Sequence, residues 1–205
     1  MTDKLPATRE GVAAAAEILR AGGLIAFPTD TVYGVACAAS RPDRVDALFA
    51  LKRRPAERRI PMLVTGLDGI PDGWLIDDRA RLLSDRFWPG ALTLVLPAVA
   101  GDETQALRAP DHAVALALIG AAGPLFATSA NVSDEPDTLD ADDVLIAFAT
   151  QADGLDAVVD GGPVPGGVAS TVLDLSVRPA RVLRAGPIGR DALGKLIRLA
   201  DVPVD

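Results

Sequence analysis

The residues in this chain with the means to do chemistry are cations and hydroxyls rather than nucleophiles. There is one histidine and one cysteine, and no CxxC, HExxH or GxSxG, so neither a zinc site nor a nucleophile elbow is supported. The familiar phosphate cradles, GxxxxGK(S/T) and a GxGxxG after a strand, are missing as well. What remains is Lys52, Arg54, Arg108 and Arg184 at predicted helix exits, turns and strand ends, with Thr31, Ser129, Asn131, Ser170 and Thr171 at strand-to-loop junctions. Guanidinium and ammonium groups bind phosphate oxygens while hydroxyls and backbone amides orient the rest, so this set suits a nucleotide triphosphate. His112 beside Asp111 reads as a capping or surface histidine before a general base. Cys37, in a run of small residues, reads as a buried spectator.

Charge placement favours a small anion. The formal net charge is −8, yet residues 41–59 carry seven basic side chains against three acidic, and residues 178–198 carry six against one. Positive charge gathered into two segments of an acidic chain is better suited to holding a compact anion than to coating a polyanion. The charged start of the chain and the short apolar run 113–119 give neither a signal peptide nor a membrane span. A soluble, cytoplasmic protein with one domain over residues 1–205 is expected. One cysteine rules out a disulfide within the chain.

The elements that must position these groups centre on residues 24–64. A strand at 24–27 ends in Pro28, and the turn Thr29-Asp30-Thr31-Val32-Tyr33-Gly34 follows. A strand that ends in such a turn and feeds a helix sets polar groups at the carboxyl edge of a sheet, where open α/β folds bind ligands. Ser40 with Asp43 predicts an N-terminal cap, Pro42 a first turn, and Val45, Leu48 and Phe49 the buried face of a helix that delivers Lys52 and Arg54. A second strand is predicted at 60–64.

Around this centre, helical spacing predicts helices at 9–21, 77–87, 113–119, 140–149 and 190–199. A largely apolar run predicts a buried strand at 91–96, and further strands are expected at 125–128, 156–159, 169–175 and 181–185. Residues 161–167, Gly-Gly-Pro-Val-Pro-Gly-Gly, predict a mobile or tightly turning loop. Hydrophobic residues make up 49% of the chain but aromatic ones only 4%, so Ala, Val and Leu must fill the core, as when helices pack on a sheet. Irregular alternation of elements, with adjacent strands late in the chain, predicts an α/β fold: a mixed twisted sheet with flanking helices.

Seven segments in order carry a family resemblance: PTDTVYG at 28–34, LKRRP at 51–55, WPGALT at 88–93, LRAPDH at 107–112, TSANVS at 128–133, STVLD at 170–174 and VLRAG at 182–186. Their order and spacing resemble the YrdC/TsaC family of threonylcarbamoyl-AMP synthases, in its short single-domain form. The resemblance implies a YrdC-like twisted mixed sheet with a basic central cavity. It also implies formation of threonylcarbamoyl-AMP and pyrophosphate from L-threonine, bicarbonate and ATP with Mg²⁺, for N6-threonylcarbamoyl modification of adenosine 37 in tRNA. tRNA or a downstream threonylcarbamoyl-transfer complex is the implied partner, with no membrane.

Carried over position by position, the resemblance makes Lys52 and Arg54 the catalytic, phosphate-binding pair. Arg58, Thr104, Ala127, Ser129, Asn131 and Arg184 join them in the ATP set, and Thr31, Arg108 and Ser170 form the threonine set. The chain departs from the family pattern at Arg58-Arg59, Leu63, Asp134, Asp137 and Ala169. Two alternatives stay open: an RNA-binding or ribosome-associated module of the same fold, and a paralogue acting on a different substrate.

Overall fold

Strands that are apolar at every position need cover on both faces, and the centre of this molecule is built that way. The computed structural model describes residues 2–53, 60–133, 135–151 and 154–201. Strands β2 (Ile25–Phe27) and β3 (Gly34–Ala38) are buried throughout. Leu24, Ala26, Val35 and Cys37 point to one side, against helices α2 (Val45–Leu51) and α5 (Ala141–Phe148). Ile25, Phe27, Ala36 and Ala38 point to the other, against α1 (Arg9–Arg20) and α4 (Ala113–Ala122). Alanines at 15, 16 and 115 let those two helices sit close to the sheet and to each other.

The remaining strands are β1 (Asp3–Pro6), β4 (Met62–Leu63), β5 (Leu92–Pro97), β6 (Thr104–Arg108), β7 (Leu125–Ser129), β8 (Ala157–Asp160), β9 (Thr171–Asp174) and β10 (Arg181–Arg184). All join one twisted, mixed sheet in the order β1-β8-β2-β3-β7-β4-β6-β5-β9-β10. The pairs β1–β8, β8–β2, β4–β6 and β5–β9 are parallel and the others antiparallel. A third apolar cluster packs α3 (Asp78–Phe87) and α6 (Arg190–Gly194) on β5, β9 and β10 through Leu83, Leu94, Leu173, Val182 and Leu193. The Asp77 carboxylate starts α3 by accepting from the Ala80 amide at 3.0 Å, and Thr8 does the same for α1 through the Gly11 amide at 3.2 Å. Among the described residues, no helix is long and apolar enough to cross a membrane.

Several local expectations are corrected. The 24–27 strand does not feed a helix: it turns back as β3, whose small residues Gly34, Ala36 and Ala38 carry little strand propensity and were legible only through pairing with β7. Strands β1 and β6 were not expected; β1 is short and mostly exposed, so it has no apolar signature. Ser40 does not cap the next helix. The first turn there is a 3-10 segment, Pro42–Arg44, preceded by Arg41, whose guanidinium takes Asp43 as its own partner at 2.9 Å. Finally, α6 ends at Gly194 rather than running to 199, as expected of a glycine in a helix interior.

Candidate functional site

One face of the central strands is left open beneath the β2–β3 turn and forms a cavity of about 390 Å³. Its wall takes Thr93 from β5, Ala106 and Arg108 from β6, Leu63 from β4, Ala127 and Ser129 from β7, and Val172 from β9. Alternation explains the choice: Leu92, Leu94 and Leu96 enter the α3 cluster, so Thr93 between them turns to the cavity, and Leu107 likewise leaves Ala106 and Arg108 there. Thr31, Ser170 and Arg184 complete the polar rim beside Ala169, with Asp137 at its exposed edge.

Arg184 reaches this wall through a bulge. Val182 pairs with Leu173 and Arg184 with Val172, while Leu183 pairs with nothing and is 45% exposed. The skipped residue turns Arg184 to the cavity side with Val172, although Val182, two positions earlier, faces the core. The Arg184 Nε and Nη2 donate to the Ser170 carbonyl at 3.0 and 2.8 Å, and Nη2 also reaches Ser170 Oγ at 3.1 Å. Ser170 Oγ lies 2.8 Å from Thr93 Oγ1, so one chain of contacts fixes three cavity groups.

Arg108 is held from the opposite side. Its Nε donates to the Gly90 carbonyl at 2.9 Å, and Nη2 donates to both Asp30 carboxylate oxygens at 2.6 Å. Burial, and secondarily the neighbouring Arg108 guanidinium, lowers the pKa of Arg184. Asp30 offsets the charge of Arg108, so Arg184, which has no carboxylate partner among the described residues, is the group that makes the cavity attractive to an anion.

The turn that roofs the cavity is internally fixed. Thr29 Oγ1 donates to the Val32 carbonyl at 2.6 Å and accepts from the Thr31 amide at 3.2 Å. Tyr33, fully buried, accepts through its hydroxyl from the Gly161 amide at 3.2 Å and donates to the Gly162 carbonyl at 2.8 Å. The glycine-rich segment 161–167 is thus pinned at its base, and its far end, Gly167 with Ala169 and Ser170, lines the cavity.

A model of the Sua5/YciO/YrdC family, described as "Telomere recombination", matches residues 17–186. The chain belongs to this family. Threonylcarbamoyl-AMP synthase of Bacillus subtilis (strain 168) is 38% identical over 209 residues, covering 96% of this chain and 59% of the relative. The synthase of Pyrococcus abyssi is 36% identical over 193 residues, covering 89% of this chain and 56% of the relative. The crystal structure of P. abyssi Sua5 complexed with L-threonine superposes with a TM-score of 0.85 at 33% identity, over 98% of this chain and 62% of that one. The chain therefore spans rather more than half the length of these relatives.

Within this Sua5/YciO/YrdC chain, Thr31, Arg108, Ala127, Ser129, Ser170 and Arg184 of the expected set line the cavity together. Lys52, Thr104 and Asn131 stand outside the lining. Thr104 lies on the Ala106–Arg108 side of β6, two positions further out. Lys52 is buried, and its ammonium donates to the Ser129 carbonyl, to the Asn131 carbonyl at 2.8 Å and to Asn131 Oδ1 at 3.1 Å. Its ammonium also lies 3.3 Å from Ser129 Oγ, so it braces residues 129–131 and sets the position of Ser129. Arg54 and Arg58 lie outside the described residues, as does Asp134.

Three participants were not foreseen: Asp30, Tyr33 and Thr93. Thr93 had a readable signal, a lone hydroxyl between Leu92 and Leu94 in a strand with leucine at alternate positions. Asp30 and Tyr33 sit in the PTDTVYG turn, but contacts with residues 78 and 128–129 positions away give no local mark. His112 stands at the N-cap of α4 without capping it. Its Nδ1 is buried and has no hydrogen-bond partner among the described residues. Burial lowers its pKa, against the opposing fields of Asp30 and Asp111.

Proposed function

We propose that this chain is a threonylcarbamoyl-AMP synthase that uses L-threonine, bicarbonate and ATP to form threonylcarbamoyl-AMP and pyrophosphate. The observation that carries this reading is the convergence of Arg108, Arg184, Ser129, Ser170 and Thr31 on one cavity of about 390 Å³, a volume typical of small-molecule sites, about 300–1,000 Å³. Membership of the family and the likeness to a threonine-bound Sua5 support the same substrates.

Arg108 takes the carboxylate of the amino acid. Leu63 stands beside it, paired in register across β4 and β6, and offers an aliphatic wall to the threonine methyl group. The threonine amine attacks carbon dioxide supplied by bicarbonate, forming the N–C bond of a carbamate and releasing a proton. A carbamate oxygen then attacks the α-phosphorus of ATP as the bond to the β-phosphate oxygen breaks, and pyrophosphate leaves. Charge grows on the phosphate oxygens during this step, and Arg184, whose guanidinium is already held by Ser170, stabilises it without reorganising. No protein nucleophile is required, and the buried, high-pKa thiol of Cys37 supplies none.

Mg²⁺ would enter with the triphosphate, an ion that holds protein through one or two carboxylates and keeps its waters. The donor set fits only that use: Asp137 is the carboxylate in the lining, and no cluster of three or more His, Cys, Asp or Glu suited to a metal occurs among the described residues. When bound it would neutralise phosphate charge. The product would pass to adenosine 37 of tRNA, directly or through a transfer complex.

The test is pyrophosphate release by purified protein with ATP and bicarbonate, with and without L-threonine. Threonine-dependent release, with L-serine a poor substitute, is expected; ATP turnover indifferent to threonine, or none, would overturn the reading. Lys52→Ala and Arg54→Ala should each lose most of the activity, Lys52 because the 129–131 segment is no longer braced; wild-type rates in both would remove these roles.

A further inference from the structure

Asp30 belongs to no group of residues assigned above to ATP or threonine, yet it makes the shortest side-chain contacts to a cavity cation. Both its oxygens lie 2.6 Å from Arg108 Nη2, and the two side chains are only 14% and 11% exposed. A carboxylate beside an anion-binding guanidinium admits two opposite explanations. It competes with the ligand for the cation, or it orients the cation for the ligand.

The geometry of Arg108 separates them. Its five N–H groups form a planar fork. One, on Nε, is committed to Gly90 O at 2.9 Å, and Nη2 is committed to Asp30. Nη1 has no hydrogen-bond partner among the described residues, and Arg108 lines the cavity while Asp30 does not. Asp30 and Gly90 therefore grip the guanidinium along one side and leave the Nη1 side to the cavity. A competitor would occupy the ligand's own donor; Asp30 occupies a different one. Its charge also offsets repulsion between Arg108 and Arg184, whose guanidiniums share the field of one small cavity.

We propose that Asp30 is a positioning residue that fixes Arg108 so that Nη1 meets the carboxylate of the amino-acid substrate. This rests on the synthase reading. A buried guanidinium already held in one orientation loses little side-chain freedom when a ligand arrives, and its donor direction selects for a planar carboxylate.

The experiment measures binding of L-threonine, and separately of ATP, to the full chain by calorimetry. Asp30→Asn keeps the size and one acceptor oxygen but removes the charge. It should weaken threonine binding about ten-fold or more, because a guanidinium displaced by a fraction of an ångström loses its aligned donor, and leave ATP affinity within about two-fold. Asp30→Glu keeps the ion pair, and with it the fold should Asp30→Asn unfold, but moves the carboxylate by one methylene. It should weaken threonine binding several-fold, again without an effect on ATP.

Tighter or unchanged threonine binding in the variants would overturn the positioning role while the synthase reading stood. Equal losses for threonine and ATP would mean general damage to the cavity and also overturn it. A wild-type protein that binds ATP but not threonine would remove the reading itself, and this role with it.

Discussion

Replacing Tyr33 with phenylalanine removes one oxygen atom from a fully buried side chain and disturbs nothing else in its contacts. The backbone bonds of residue 33, from its amide to the Thr138 carbonyl at 3.0 Å and to its carbonyl from the Ala130 amide at 2.7 Å, are untouched. What is lost is the pair of hydrogen bonds to Gly161 and Gly162. A neutral bond contributes about 0.5–1.5 kcal/mol net, and Gly161 is exposed enough for water to replace part of it, so the total loss is about 1–2 kcal/mol. For a chain of 205 residues, that corresponds to a fall in Tm of about 2–8 °C. Loss of the anchor also loosens the segment that carries Gly167, Ala169 and Ser170 into the cavity wall, so KM for threonine should rise several-fold. Thermal unfolding followed by circular dichroism, together with initial rates of pyrophosphate release, measures both. A variant that melts within about 1 °C of the wild type with unchanged KM would show that the Tyr33 hydroxyl does not hold this segment.

Two further outcomes follow from buried titratable groups. His112 has a pKa lowered from its ordinary 6.5 by burial, so the unfolded chain binds more protons than the folded one below that value. The contribution of His112 should be fully present above that ordinary value and be lost as pH falls below it, a loss that His112→Gln should remove when Tm is followed against pH. An unchanged slope in that variant would assign the acid sensitivity elsewhere. Cys37 has no exposed surface, and burial pushes its thiol up to about 11; it should resist an aromatic disulfide reagent in the native protein and react fully in denaturant, and rapid native labelling would contradict its place between β2 and β7.

The parts of the fold that were legible in the sequence are those with a local signature. Helix α1 announced itself by Val12, Ala15, Ala16 and Leu19 at helical spacing, and β5 by an apolar run that Thr93 alone interrupts. Strand β3 was hidden because Gly34, Ala36 and Ala38 are weak strand formers that fit only where two neighbouring strands and two helices close around them. In the site, Arg108, Arg184 and Ser170 stood out as polar groups at strand ends. Lys52 is expected from its type and motif to bind phosphate, but its bonds to the Ser129 and Asn131 carbonyls, 77 and 79 residues away, leave no local mark in the sequence. Asp30 had the reverse problem: its neighbours in the turn drew notice, but its partner is in β6.

The unpaired Leu183 has a consequence for how the β10 edge can vary. A strand without Leu183 would still set Val182 against Leu173 and Arg184 against Val172, so this edge can lose a residue and keep its guanidinium. Straightening the strand with Leu183 retained would instead bring leucine opposite Val172 and swing the arginine into the apolar layer. What governs this corner of the molecule is the number of residues in the strand, a variable that a substitution scan never samples.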